Sequence, residues 1–274
     1  MKRFVFFVFV LVLITSMLSG CAAPTAIPTA TSLPTPTETV TPEPFQGITL
    51  YYENNAQFEI VSPEGRHVFF DVVDTSLFSA QPTANDILLT SHGHTDHYSS
   101  TFAKSFPGQQ INFKEGQIDL PDVKVKVIAS AHNADDPLAT ENGTNYIIIV
   151  DMGGLRIAHF GDIGQDKLTD EQVKALGTVD IAITQFDNSY STMNITNKKG
   201  FNLMDQFKPK LIIPTAHVSQ PTITFAVGRW KGYVHTGPGG VKISRADIPA
   251  EQSILIFGPL ASTYQAIFKL PSWK

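Results

Sequence analysis

Three histidines and one aspartate lie close together at His92, His94, Asp96 and His97. In an extended backbone, His92 and His94 project to the same side because side-chain direction repeats every second residue. Gly93 between them disfavours a helix, which would splay the two rings apart. Neutral imidazole nitrogens and carboxylate oxygens are ligands that divalent cations take in proteins. The motif therefore favours a metal site over a polar loop that is rich in histidine by chance.

Three later residues of the same chemical kinds each follow a predicted strand: His132 after residues 123–129, Asp162 after residues 155–160, and His217 after residues 210–213. Taken alone, His132 could be structural, Asp162 could be a turn aspartate, and His217 could cap a strand. Their recurrence at strand ends indicates a common site, because layered α/β folds build pockets from such ends. His159 lies an odd number of residues before Asp162, so it should face the other way and serve a structural role.

The elements that would position these residues are mainly strands. Runs rich in β-branched and aromatic residues predict strands at 48–52, 57–61, 67–73, 87–90, 110–113, 117–120, 123–129, 145–150, 155–160, 179–184 and 210–213. Amphipathic patterns predict helices at 98–106, 167–176 and 198–207. Because strands outnumber helices and many form hairpins, the chain is expected to be an α/β protein. A sandwich of sheets covered by helices fits better than a doubly wound parallel sheet.

The N-terminal residues 1–20 have the pattern of a secretory signal peptide. Lys2 and Arg3 precede an apolar run at 4–18 that is short for a membrane span. The run ends in Leu-Ser-Gly before Cys21, which resembles the lipobox of bacterial lipoproteins. The resemblance implies that Cys21 is lipidated and anchors an exported protein to a bacterial membrane, with its catalytic domain outside the cytoplasm. An ordinary signal peptide with an incidental Cys21 is the alternative.

Composition divides the rest of the chain in two. Residues 21–44 are rich in Pro and Thr and predict a disordered, extended tether, whereas residues 45–274 predict the folded domain. Cys21 is the only cysteine, so no intrachain disulfide can form. The formal charge of −5 in 274 residues shows no basic excess, which predicts that nucleic acid is not a partner. The sequence indicates no oligomeric state.

The motif, followed in order by His132, Asp162 and His217, resembles the metallo-β-lactamase superfamily. Within it, the chain is most similar to the metal-dependent hydrolases related to ascorbate-phosphate lactonases and N-acylphosphatidylethanolamine phospholipases, over residues 46–268. The resemblance implies a four-layer αββα sandwich with two metals at one edge. It further implies a first metal on His92, His94 and His132, a second on Asp96, His97 and His217, and Asp162 as the bridge.

The donor set also bears on the metal and the reaction. Imidazole and carboxylate without thiolate suit zinc, which is the expected metal, and also manganese or iron. Two such metals lower the pKa of a shared water to about 7. The resemblance therefore implies a metal-bridging hydroxide that attacks a carbonyl or phosphoryl centre, with Asp96 as the catalytic residue that could orient it.

Substrate contacts are less well defined by the sequence. Asn133, Tyr190 and His235 lie on loops expected to reach the cleft, and a small-molecule or lipid-derived substrate is expected. Residues 188–193 replace a loop that is more apolar and bears glycine in many relatives, so the sequence does not identify the substrate. Three cations are near enough in sequence to clamp a phosphate group: Lys198, Lys199 and Arg229.

Two classes of function follow from these patterns. The first is a lipid-anchored, extracytoplasmic hydrolase that cleaves an ester-like bond in a lactone, a phosphodiester, a lipid head group or an amide. The second is a lipoprotein that binds metals or a ligand without turnover, since a fold does not fix a function. The filling of all seven ligand-type positions favours the hydrolase, because a structural site would not need Asp96. Nothing in the sequence marks a β-lactam pocket.

Overall fold

The computed structural model describes residues 45–138, 144–215, 217–237, 239–258 and 261–274. The predicted signal peptide, Cys21 and the predicted tether lie outside these residues. None of the helices in the described part of the chain combines the length and apolar character that a membrane span requires.

The first sheet has six strands in the order β13-β1-β2-β3-β4-β5. Strands β1 to β3 form an antiparallel meander, and β3, β4 and β5 run parallel to one another. The strands are β1 (Ile48–Asn54), β2 (Gln57–Val61), β3 (His67–Phe70), β4 (Ile87–Thr90), β5 (Gln109–Asn112) and β13 (Val241–Ile243).

The second sheet has eight strands in the order β12-β14-β11-β10-β9-β8-β7-β6. Strands β6 to β9 pair antiparallel, whereas β9, β10, β11, β14 and β12 are parallel. The strands are β6 (Gly116–Asp119), β7 (Val123–Ala131), β8 (Thr144–Met152), β9 (Leu155–His159), β10 (Ile181–Thr184), β11 (Leu211–Pro214), β12 (Lys231–His235) and β14 (Ser253–Phe257).

Helices cover the outer face of each sheet. The helix α1 (Ser100–Ser105) packs its Ala103 against Phe69 and Leu88 of the first sheet. The second sheet is covered by α2 (Asp170–Leu176), α3 (Lys199–Phe207), α4 (Gln220–Arg229) and α5 (Ala261–Phe268). The main apolar core lies between the two sheets. The predicted four-layer αββα sandwich is confirmed.

The burial pattern of each strand follows its place in the sandwich. In β7, buried valines alternate with exposed lysines, because only one face of this strand packs on the core. In β10, all four residues are buried, because the core covers one face and helices cover the other. The continuous apolar run of β10 therefore marks the middle of the second sheet.

The structure corrects the sequence predictions in two respects. The strand predicted at 67–73 ends at Phe70, because Asp71 adopts a positive φ of 49° that leaves the extended conformation. No element was predicted after residue 213, yet α4, β12, β13, β14 and α5 follow there. Strand β13 has only three residues, which is too short for a clear alternation of apolar and polar residues. Helix α4 contains Thr222 and Gly228, which have low helix propensity, so its sequence only weakly predicts a helix.

The chain enters the sandwich at one particular edge. Gly47, just before β1, lies against Gly153 in the turn between β8 and β9, where a Cβ added to Gly153 would be 2.0 Å from the Gly47 carbonyl oxygen. Strand β9 runs away from this turn and ends next to Gly161 and Asp162. The entry of the chain at Phe45 is therefore at the edge opposite to Asp162.

A buried polar cluster lies on the outer face of the first sheet. Glu59 of β2 is fully buried and accepts hydrogen bonds from His67 and from the backbone N–H of Ser79. Burial alone would raise the pKa of Glu59, but these hydrogen bonds lower it. Burial and the neighbouring Glu59 raise the pKa of Glu53 from 4.5 to about 8. Glu59 is therefore ionised at neutral pH, and Glu53 carries a proton.

Glu53→Gln is expected to change how stability depends on pH. The folded protein holds a proton on Glu53 that the unfolded chain releases above its ordinary pKa of 4.5. Stability therefore falls as the pH rises from about 4.5 to about 8. Glutamine cannot titrate, so the melting temperature of the variant relative to wild type should rise between about pH 5 and pH 9 in thermal melts.

Glu64→Gln is the matched control, because Glu64 is exposed in a turn. Its melting temperature should follow that of the wild type at every pH. A difference between Glu53→Gln and wild type that stays constant with pH would contradict the assignment of the proton to Glu53.

Candidate metal centre

Four loops meet at one edge of the sandwich, and each follows the end of a strand. His92 lies two residues beyond β4, and His132 directly follows β7. Asp162 follows β9, and His217 follows β11. The two sheets therefore contribute ligand-type side chains to the same edge.

All seven predicted ligand residues come together there. Their ligand atoms form three groups, and the atoms of each group lie within 4.8 Å of one another. The groups are His92, His94 and His132; His92, His97 and Asp162; and Asp96, His97 and His217. The first and third groups coincide with the two ligand sets that the resemblance implies.

Asp162 lies between the two sets of histidines. Its Oδ1 is 3.3 Å from His97 Nε2, and its Oδ2 is 3.7 Å from His132 Nε2. The His92 Nε2 and His94 Nδ1 atoms are 3.1 Å apart, and the rings of His92 and His97 have centroids 4.1 Å apart. This is the position in which a carboxylate can bridge two cations.

The donor atoms fit a cation because several are buried with no hydrogen-bond partner. Among the described residues, these include His97 Nε2, His132 Nε2, His217 Nε2 and Asp162 Oδ1. A buried polar atom without a hydrogen bond costs about 1–3 kcal/mol, so four of them at one point call for a shared partner. A divalent cation is a partner that accepts both imidazole nitrogen and carboxylate oxygen.

The electrostatics of the histidines also fit a cation. Burial lowers the pKa of His92 to about 3 and lowers the pKa of His132, which keeps both rings in the neutral form that a ligand needs. Burial alone would lower the pKa of His97, but the negative charges of Asp71 and Asp162 raise it to about 10. The same two charges that hold a proton on His97 would stabilise a cation in its place.

Asp71 orients His97, a role that the sequence pattern does not predict. Its carboxylate is fully buried, and its Oδ2 accepts hydrogen bonds from His97 Nδ1 at 2.8 Å and from Ser91 Oγ at 2.7 Å. Because Nδ1 donates to Asp71, Nε2 is the nitrogen that faces the centre. Asp71 follows β3 directly, which is the same strand-end signal that marked the ligands, but it was placed inside a predicted strand.

The turn before Asp162 requires glycine. Gly161 has a φ of 53°, and a Cβ at this position would lie 2.4 Å from Asn145 Oδ1 and 2.5 Å from Ser91 Cβ. Asn145 Oδ1 accepts a hydrogen bond from the Asp162 N–H at 3.0 Å, and its Nδ2 donates to the Phe160 carbonyl at 2.7 Å. The backbone of Asp162 is therefore held between the two sheets.

The loop that carries Asp162 also holds the end of β7. The Gly164 N–H donates to the Ala131 carbonyl at 2.9 Å, and the Ala131 N–H donates to Gln165 Oε1 at 3.0 Å. Both backbone polar groups of Ala131, the residue before His132, are therefore hydrogen-bonded to this loop. His132 and Asp162 therefore keep a fixed distance from each other.

The run at residues 188–193 contacts the centre directly. Asn188 Nδ2 donates to Asp162 Oδ2 at 2.7 Å, and Ser191 Oγ donates to the Asp162 carbonyl at 2.8 Å. On the same loop, the N–H groups of Phe186 and Asp187 donate to the His217 carbonyl at 3.2 and 3.0 Å. This loop therefore supports two of the ligand residues.

The predicted substrate residues lie at the same edge with different exposure. Tyr190 is 78% exposed on the run just described. Asn133 directly follows His132, and its N–H donates to Asp136 Oδ2 at 2.8 Å. His235 ends β12, which is separated from β11 by β14, and its ring packs against Phe257. His235 belongs to none of the three ligand groups.

Each of the three cations that are candidates for a phosphate clamp has another partner in the structure. Lys199 pairs with Asp166 at 3.0 Å, and Arg229 pairs with Asp205. Lys198 Nζ lies 4.9 Å from the centroid of the Phe225 ring.

His159 is fully buried below the centre. Its Nε2 lies 3.0 Å from the Ala56 carbonyl, and its Nδ1 accepts a hydrogen bond from the Gly161 N–H at 3.1 Å. With Nδ1 accepting, the Nε2 atom donates to Ala56. Both ring nitrogens are therefore used within the protein, and the ring supports the turn that presents Asp162.

Two solved structures show the same fold. A candidate Zn-dependent hydrolase of the metallo-beta-lactamase superfamily from Thermotoga maritima superposes with a TM-score of 0.54 at 19% identity, covering 77% of this chain and 98% of that protein. The metallo-beta-lactamase fold protein YhfI from Bacillus subtilis has a TM-score of 0.50 at 11% identity, covering 76% of this chain and 96% of that protein.

Sequence comparison agrees at the level of the family. No curated protein gives a significant match to the chain. The family model described as the beta-lactamase superfamily domain matches residues 49–216, which include every ligand-type residue except His217. Because this match spans more than half of the 274 residues, the chain belongs to the beta-lactamase superfamily.

Proposed function

We propose that this protein is a metal-dependent hydrolase with a dinuclear centre that cleaves an ester-like bond. The observation that carries the proposal is the meeting of seven imidazole and carboxylate side chains at one edge of the sandwich. Four of their buried atoms lack a hydrogen-bond partner among the described residues. Zinc is the expected metal, with manganese or iron as alternatives.

The residues present divide into two sets around Asp162. His92, His94 and His132 would hold one cation, and Asp96, His97 and His217 would hold the other. Asp162 would contribute to both. Two bound divalent cations supply Lewis acidity toward a substrate oxygen and lower the pKa of a water to about 7.

Asp96 is suited to act on the attacking water. Its side chain is 56% exposed, and its Oδ2 is 3.9 Å from His97 Nε2. A carboxylate at the open side of the centre can accept a hydrogen bond from a water and orient it toward a substrate. His97, held by Asp71 through Nδ1, would present its Nε2 to the cation that Asp96 and His217 also hold.

The surroundings favour a substrate with little negative charge. Lys198, Lys199 and Arg229 are engaged with other groups, so they do not offer a clamp for a phosphate monoester. A lactone or a phosphodiester, which carries at most one charge at the reacting group, fits this better. Asn133, Tyr190 and His235 stay predictions as substrate contacts.

The metal content of purified protein tests the proposal. Wild type loaded with zinc should hold two equivalents by elemental analysis, because two ligand sets converge. Asp162→Ala removes the carboxylate that both sets share, so the content should fall below one equivalent. Asp166→Ala, which changes an exposed aspartate on the same loop, should keep two equivalents.

Activity of the metal-loaded protein is measured on lactone, bis-phosphodiester and phospholipid panels. Wild type and Asp166→Ala are expected to turn over at least one substrate, and Asp162→Ala is expected to be inactive. Two equivalents of zinc in Asp162→Ala would contradict the shared carboxylate. Tight ligand binding without turnover on any panel would favour the alternative, a non-catalytic metal- or ligand-binding lipoprotein.

Asp71→Asn is expected to weaken metal binding through His97. An asparagine amide facing Nδ1 cannot accept the hydrogen bonds that the Asp71 carboxylate takes from His97 and Ser91 together, so the His97 ring loses its fixed tautomer. Loss of such a supporting carboxylate typically costs about 10- to 100-fold in metal affinity. Competition with a chelator measures the affinity of each equivalent.

The control for this substitution is Asp74→Asn, three residues along the same loop. Asp74 is exposed and accepts the Ser76 N–H as a helix cap, which asparagine can also do. Equal affinities for Asp71→Asn and wild type would show that His97 does not depend on Asp71.

We further propose that the protein is exported and anchored to a bacterial membrane through lipidated Cys21. The apolar run at 4–18 that ends in Leu-Ser-Gly before Cys21 supports this. Labelled palmitate should enter the full chain, and Cys21→Ala should lose the label and leave the membrane fraction. Ser19→Ala should keep the label. Retention of Cys21→Ala on membranes would refute the anchor.

A further inference from the structure

We propose that Asn188 is a positioning residue that fixes the rotation of the Asp162 carboxylate, so that Asp162 Oδ1 is presented to the metal centre. This inference rests on the proposed metal-dependent function and assigns a role that the sequence pattern did not. It concerns a residue on the run at 188–193, which was expected only to line the cleft.

The contact between the two side chains is short and buried. Asn188 is 4% exposed and Asp162 is 3% exposed, and Asn188 Nδ2 lies 2.7 Å from Asp162 Oδ2. The other oxygen, Asp162 Oδ1, has no hydrogen-bond partner among the described residues and lies 3.3 Å from His97 Nε2. Holding Oδ2 therefore determines where Oδ1 points.

The orientation of the Asn188 amide is determined by its other partners. Asn188 Oδ1 accepts the Tyr190 N–H at 2.9 Å, so the oxygen must lie on that side. The Nδ2 atom then carries two N–H groups, one for Asp162 Oδ2 and one for Gln185 Oε1 at 2.7 Å. Every polar atom of the amide is used, and a flipped amide would lose all three contacts.

The loop that carries Asn188 is itself held against the loop of Asp162. The backbones of Asn188 and Met193 exchange two hydrogen bonds of 2.9 Å. Gln185 Nε2 donates to the Ile163 carbonyl at 2.9 Å and to Ser191 Oγ at 3.0 Å. Asn188 therefore cannot move away from Asp162 without breaking several other bonds.

Loss of this donor should lower metal affinity in addition to any loss of stability of the fold. A buried carboxylate oxygen without its hydrogen bond is costly, and the carboxylate becomes free to rotate. Removing a group that orients a metal ligand typically lowers metal affinity about 10- to 100-fold. The effect should appear in the equivalents that Asp162 helps to hold.

Asn188→Ser is the main test variant, because the serine hydroxyl can still accept the Tyr190 N–H as a cap but is too short to reach Asp162. Asn188→Ala removes all three contacts of the amide. Thr196→Ala is the matched control, since Thr196 lies on the same segment with an exposed side chain that is not among the contacts of Asp162 or Asn188. Thermal melts of the three variants without metal report the fold separately.

Zinc affinity is measured by competition with a chelator, and the visible absorption spectrum of Co²⁺-substituted protein reports the ligand geometry. Asn188→Ser and Asn188→Ala should bind zinc about 10- to 100-fold more weakly and show an altered Co²⁺ spectrum. Thr196→Ala should keep an affinity and a spectrum close to wild type.

Two outcomes would overturn the inference alone. One is a wild-type affinity and Co²⁺ spectrum in Asn188→Ser, and the other is an equal loss of affinity in Thr196→Ala, which would assign the effect to the segment as a whole. If wild type itself binds no zinc or Co²⁺, the proposed function fails, and this inference fails with it.

Discussion

Two buried carboxylates on either side of one imidazole are the interaction on which the rest of the centre depends. Asp71 and Asp162 both lie within hydrogen-bonding or ion-pairing distance of His97. Burying two negative charges is expensive unless positive charge compensates them. A proton on His97 provides part of that compensation, and a cation that replaces the proton would provide more. Folding buries the carboxylates of Asp71 and Asp162, and these buried negative charges favour the binding of a cation.

The sandwich fold holds the charged groups of Asp71, His97 and Asp162 at short, fixed separations. Asp71 and His97 follow strands β3 and β4 of the first sheet, whereas Asp162 follows β9 of the second. Neither sheet alone could bring the three groups together. The core between the sheets sets the separation, and hydrogen bonds across the edge, such as that from the Tyr146 N–H to the Ser91 carbonyl at 2.9 Å, set the register of the loops.

Strand patterns predicted a sandwich of sheets covered by helices, and the recurrence of ligand-type residues after strands predicted a common site, whereas the four layers and the two ligand sets were implied by the family resemblance. Strand periodicity and a dense motif at His92 to His97 are visible in a single sequence. The contacts of the supporting residues are not: Asp71, Asn145 and Asn188 act through partners 26, 17 and 26 positions away, which no local pattern encodes, although Asp71 does carry the strand-end signal. The C-terminal elements escaped prediction for a related reason, since the three-residue β13 exists only because β1 offers it a partner.

The entry of the chain beside the turn between β8 and β9 has a practical consequence for access. Phe45 and Gly47 lie at the far end of strands whose other ends carry His92 and Asp162. Anything attached ahead of Phe45, whether a fusion partner or a solid support, would join the sandwich behind the centre. Immobilisation on that side should therefore leave the edge that carries His92 and Asp162 accessible to large or surface-bound molecules.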